Sequence, residues 1–113
     1  KEIMLNYEEL KYKFDNDILN SNYSDEAIDA VSELLEMIKD GYLKTSDEVF
    51  DSIWEVMDFY FIHYHNDDAW DFMKHYGDTD MSTYVNEGFR EITHIAARVC
   101  EDQVWEILNE LGI

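Results

Sequence analysis

The chain has 113 residues, of which 46% are hydrophobic and 15% aromatic, so it is built to fold as one domain and is not a disordered acidic tail. Its 27 Asp and Glu face only 8 Lys and Arg, a net charge of −19 that repels nucleic acid and membrane surfaces and attracts basic ones. A single cysteine, Cys100, excludes an internal disulfide and a cysteine-cluster zinc site.

No proline and only four glycines favour long helices. Residues 6–20 read as a short, weakly capped helix with Tyr7, Leu10, Phe14 and Ile18 on one face, broken by SNYS. Ser24 is a good N-cap for a second helix that runs to Asp40 and stops at Gly41. Its apolar stripe is Ala27, Ile28, Val31, Leu34, Leu35 and Ile38. Thr45 and Glu48 form a capping box for a third helix, 46–64, with Phe50, Ile53, Trp54, Met57 and Phe61 as its apolar face. Asn66 is placed to cap a fourth helix, 67–76, ending at Gly77. After GDTDMS a long last helix is expected from about Tyr84 to Leu111, stopped by Gly112, with Val85, Phe89, Ile92, Ala96 and Val99 in 3.6-residue register. The expected fold is all-α: about five helices in one elongated acidic domain spanning 1–113. No apolar run reaches membrane-span length, and KEIMLNYEEL holds no signal-peptide core, so a cytoplasmic location is expected. A chain that opens on Lys1 is expected to have been trimmed.

The acids are set in rows. On the second helix they stand at Asp25, Asp29, Glu33, Glu36 and Asp40, and on the third at Asp47, Asp51, Glu55 and Asp58. Asp102, Glu106 and Glu110 repeat the step of four near the C-terminus. Like charges at i and i+4 cost roughly 0.2–0.5 kcal/mol per pair, so about eight such neighbours oppose folding by a few kcal/mol. A helix meant only for solubility would interleave lysines, and the second and third contain Lys39 alone. The plain alternative is a solvated or salt-adapted acidic face. The functional reading is imitation of a polyanion. Carboxylates four residues apart rise ~6 Å along a helix, against one charge per ~1.7 Å of duplex DNA. Two or three crossing rows, doubled in a dimer, approach that density.

Several enzymatic motifs fit less well. His63, His65, Asp67 and Asp68 cluster in HYHNDD, but two histidines two residues apart at a helix end point to different sides. Glu91 and His94 form one Glu-x-x-His element without the second that a di-iron bundle needs. Loops from Asp15 and Asp78 begin like calcium loops but lack the sixth-position glycine. Cys100 in AARVCEDQVW reads as a small core residue, not a nucleophile. No enzyme, cofactor or metal is expected.

From about Thr45 to residue 110 the chain resembles the phage overcome-restriction (Ocr-type) proteins, which are small acidic helical DNA mimics. The resemblance is carried by TSD from Thr45, DSI from Asp51, Asp58, the pair His63–Tyr64, DAWDFMKHYG from Asp68 to Gly77 and ARVCE from Ala97 to Glu101. It implies a homodimer that imitates bent DNA and blocks the DNA groove of type I restriction–modification enzymes in the host bacterial cytoplasm. In the family the short helix matching Trp70 and Met73 packs on its two-fold mate, which makes Trp70, Phe72 and Met73 the expected dimer interface, with ordinary core as the alternative. The expected phosphate stand-ins are the rows of the second and third helices together with Asp67, Asp68 and Asp71. Ile62 stands where the family has proline, which points to a milder bend there, while the shorter connection GDTDMS and the ending LNELGI in place of an acidic tail bear on the length and curvature of the mimic and so on its preferred target. An acidic immunity, antitoxin or anti-CRISPR type of inhibitor, directed at one cognate nuclease, shares the acidity but needs only a local patch.

Overall fold

The computed structural model describes residues 4–57, 66–76 and 92–113, with side chains for all of these except 66–68. Asn6 opens the first helix, α1 (Tyr7–Lys13), by accepting the Glu9 N–H at 3.3 Å. The expected helix over 6–20 is not uniform: it widens into a π-helical turn at Phe14–Ile18, closed by Leu19 N–H donating to the Phe14 carbonyl at 3.0 Å. The wider turn offsets the drift of ~40° that every four α-helical residues would add. Leu10, Phe14 and Ile18 therefore all stay buried.

Ser24 caps α2 (Asp25–Lys39) as expected, its hydroxyl accepting the Ala27 N–H at 3.2 Å. Past the helix end, Gly41 N–H donates to the Ile38 carbonyl and Tyr42 N–H to that of Met37. This is a Schellman closure, and Gly41 supplies the positive φ, 85°, that it requires. Gly112 (φ 82°) closes the last helix in the same way, through Ile113 N–H to the Leu108 carbonyl.

Thr45 and Glu48 start α3 (Ser46–Met57): Thr45 Oγ1 accepts the Glu48 N–H, and Glu48 Oε1 accepts the Lys44 N–H at 3.1 Å. The reciprocal bond thus reaches one residue further back than in the usual capping box. The buried face of α3 is Val49, Ile53, Val56 and Met57. That face is turned away from the expected one, leaving Phe50 partly buried and Trp54 46% exposed. Two slim β-branched valines sit deeper in the helix junction than the bulky aromatics, which stay at its edge. Positions 58–64 of the expected third helix lie outside the described residues.

Next come α4 (Asn66–Tyr76), which takes in Asn66 instead of leaving it outside as a cap, and α5 (Ile92–Leu111). The expected start of the last helix, from Tyr84 to Glu91, lies outside the described residues. α2, α3 and α5 pack against one another in pairs, with α1 on α2 and α4 on α5. Double coverage explains why the N-terminal half of α5 is buried on several sides and uses small residues there, Ala96, Ala97 and Cys100. The Cys100 thiol meets Met57 Sδ at 3.8 Å in this core. The domain is all-α among the described residues, whose one β feature is an isolated bridge between Met4 and Thr45. Its extents of 38 × 27 × 23 Å describe a compact globule, less elongated than expected. No described helix is long and apolar enough to cross a membrane.

Candidate interaction surface

At ~100° per residue, the five carboxylates of the α2 row fall within an arc of about 80°. The buried residues of α2, from Ala27 to Ile38, centre about 180° away on the same helix. Asp47, Asp51 and Glu55 of the α3 row stand in the same relation to Val49, Ile53, Val56 and Met57. Asp25, Asp29, Glu36, Asp40, Asp47, Asp51 and Glu55 are all exposed, and Glu33 is partly so. Asp58 and the side chains of Asp67 and Asp68 lie outside the described residues, as do His63 and His65. Asp71 is exposed on α4, and its carboxylate is 3.6 Å from Lys74 Nζ.

Because α2, α3 and α5 converge on one core, their outward rows splay to different sides. The α5 row (Asp102, Glu106, Glu110) is also exposed. Charge therefore wraps the domain and does not form one flat acidic wall. Among the described residues, cations pair within single helical segments: Lys11 with Asp15 at 3.0 Å, Lys74 with Asp71, and Arg98 with Asp102 at 3.6 Å. These pairs leave out Asp25, Asp29, Glu36, Asp47, Asp51 and Glu55.

The three residues expected at a dimer interface do not act together. Phe72 and Met73 are 5% and 8% exposed and belong to the chain's own core, so they have almost no surface to offer a second copy. Trp70 is 54% exposed and stands apart from them. The period explains the split, since positions 69, 72, 73 and 76 of α4 fall on one side and 70 and 71 on the other.

Two polar contacts invisible to pattern reading brace the charged surface. Gln103 Oε1 on α5 accepts both the N–H and the hydroxyl of buried Ser24, at 2.9 and 2.7 Å, pinning the start of α2. Tyr23 donates its hydroxyl to Glu110 at 2.9 Å. Burial, that bond and the charges of Glu110 and Glu106 push its phenol up to about 12, so it stays a donor. The Cys100 thiol is likewise pushed up to about 12, chiefly by burial and then by the charge of Glu26, which suits an inert core group. Among the described residues no group of three or more His, Cys, Asp or Glu comes together in a way that could hold a metal ion.

A second surface feature went unread in the sequence. Phe50 on α3 and Trp105 on α5 stack at a tilt, ring centroids 4.9 Å apart, with Trp54 and Trp105 46% and 40% exposed. The signal was present: Trp105 is out of phase with Val104, Ile107, Leu108 and Leu111, the buried positions around it.

Fold and surface together define a small helical domain whose exposed carboxylates run in single-sign rows opposite its core. Set against family models, curated proteins and solved structures, the chain matches none of them.

Proposed function

We propose that the protein is a phage-type inhibitor that imitates the charge of DNA and occupies the DNA-binding groove of a host defence complex, a type I restriction–modification enzyme being the preferred target. The observation that carries this reading is the placement of the α2 and α3 rows, exposed and opposite the buried stripes, at positions where they cost stability and serve no packing role. The likeness of the short motifs from Thr45 to Glu101 to the overcome-restriction proteins points the same way.

Inhibition is by competition. A channel lined with Lys and Arg attracts the acidic domain over a distance and holds it through many weak contacts. Charge on several sides suits a groove that surrounds its duplex more than a flat platform. A second copy joined through the Trp70 side of α4 would lengthen the rows. The domain itself performs no catalysis.

The test is a DNA-competition titration against a purified type I enzyme at several salt concentrations, with Asp51→Lys and Glu55→Lys, singly and together. Graded, cumulative loss of competition, and weaker binding at higher salt, are expected. Salt-independent affinity, or absence of competition with duplex, would overturn the reading. Complete loss from one substitution would favour the cognate-nuclease inhibitor instead.

A further inference from the structure

Asp40–Gly41 is the one Asp–Gly or Asn–Gly pair in the chain. It forms the joint between α2 and the segment leading to α3, and both residues are exposed. Such a pair can react with itself. The glycine backbone nitrogen attacks the aspartate side-chain carbonyl carbon, an approach that no neighbouring Cβ crowds. The new N–Cγ bond closes a five-membered succinimide, and one carboxyl oxygen leaves as water. Water then adds back at either ring carbonyl. One opening restores aspartate. The other routes the main chain through the side-chain methylene and leaves isoaspartate. One water is lost and one regained, and nothing is oxidised or reduced.

The fold holds the pair short of that reaction. Ring closure needs the Gly41 nitrogen eclipsed with Cβ about the Asp40 Cα–C bond. At the observed ψ of −1° it is eclipsed with the Asp40 nitrogen instead, about a third of a turn away. Two hydrogen bonds keep it there, from Gly41 N–H to the Ile38 carbonyl at 3.1 Å and from Tyr42 N–H to that of Met37 at 2.9 Å. Just beyond, Leu43 is buried and anchors the chain. Apart from the chain neighbours, no described atom lies within 4 Å of where a Cβ on Gly41 would stand. The carboxyl group therefore has room to swing once the closure opens, and exposed helix ends are where local opening costs least.

We infer that Asp40–Gly41 is a self-modification site gated by the end of α2: the Schellman closure blocks succinimide formation, and each local opening of that closure permits it. The product keeps its carboxylate, so the net charge of −19 is unchanged. The main chain changes instead. It gains one methylene inside the closure, which then no longer brings the Gly41 and Tyr42 N–H groups onto the Ile38 and Met37 carbonyls. The damage falls at the last acid of the α2 row and on the link to α3. The inference does not depend on what the acidic rows bind.

The test incubates the native protein, and the same chain in concentrated urea, at neutral pH and one temperature. Isoaspartate is counted with an isoaspartyl methyltransferase and a labelled methyl donor, and located by fragment mass spectrometry. It should appear at Asp40 in both samples, about tenfold more slowly in the native one, the delay that two hydrogen bonds of ordinary net strength impose. Asp40→Glu keeps the charge but demands a slower six-membered closure, and should abolish the product at this bond. Leu43→Ala should speed the native reaction several-fold by loosening the closure. Gln103→Ala strips the Ser24 contacts at the far end of α2, about 22 Å away, and should change the rate by less than about twofold. Equal rates in native and urea samples would overturn the gate, as would equal acceleration by Leu43→Ala and Gln103→Ala, which means unfolding of the whole chain. No isoaspartate at Asp40 in urea would overturn the site. Far-ultraviolet circular dichroism confirms that each variant is folded at the start.

Discussion

Asp51→Asn should make the protein more stable and, on the proposed function, a poorer competitor of duplex DNA. Asp51 is the sixth residue of α3, past the first turn where a helix dipole rewards negative charge. It is exposed, with Asp47 and Glu55 four residues to either side and Glu48 three residues before it. Each like-charged neighbour costs roughly 0.2–0.5 kcal/mol, so removing one charge relieves about 0.6–1.5 kcal/mol. Asn and Asp have similar helix propensities, so that term is close to neutral. For a domain of this size the gain is about 2–8 °C in Tm. The assay is thermal and urea unfolding at ~0.01 M and ~1 M salt, where the screening length falls from about 30 Å to about 3 Å. The gain should be largest at low salt and nearly vanish at high salt. Asp47→Asn is the control: it lies in the first turn, so lost dipole attraction should offset relieved repulsion. A destabilised Asp51→Asn, or a gain equal at both salts, would refute the reasoning and make Asp51 a structural ligand instead of a member of a strained row.

On the proposed pairing through the Trp70 side of α4, Trp70→Glu should shift sedimentation to the monomer without changing the helical signal, because Trp70 is exposed while Phe72 and Met73 are core. A monomeric wild-type chain, or a variant that still pairs, would remove α4 as the contact. Alkaline stability is set partly by Cys100, whose thiol is raised from 9.0 to about 12 in the fold. Below pH 9 both states keep the proton; above it the unfolded chain releases a proton that the native state holds, so stability falls as pH rises from 9 towards 12. The loss from this group at pH 10.5 is about 2 kcal/mol. Urea unfolding of Cys100→Ala should therefore fall less steeply than wild type across that window, and parallel curves would refute the assignment.

Much of the fold was legible because its signals are local. Ser24, Gly41, Thr45 with Glu48, and Gly112 mark chain ends through hydrogen bonds made within a few residues, and all four act where expected. The α2 stripe was equally plain, since Ala27 through Ile38 follow a single helical period. The face of α3 was not, because hydrophobicity alone ranks Phe50 and Trp54 with Ile53. What decides between the aromatics and the valines is the room at the α2–α5 junction, a tertiary quantity. The π turn at Phe14–Ile18 was hidden for a related reason: four-residue spacing of apolar groups looks the same in either pitch. Exposure of the rows was legible, their divergence was not, and the bond from Ser24 to Gln103 spans 79 positions with no pattern to announce it. The Phe50–Trp105 stack likewise depends on the antiparallel register of two helices far apart in sequence.

On the proposed function, the splay of the three rows bears on how quickly the domain would find a basic groove. Docking two specific patches normally slows association well below the diffusion limit, because most collisions occur in the wrong orientation. A body that is acidic on one face must tumble until that face is presented. Here α2, α3 and α5 turn carboxylates outward in three directions, so a basic groove meets negative charge over a broad range of approach angles. The rotational search then takes place after capture, in contact, instead of before it in solution.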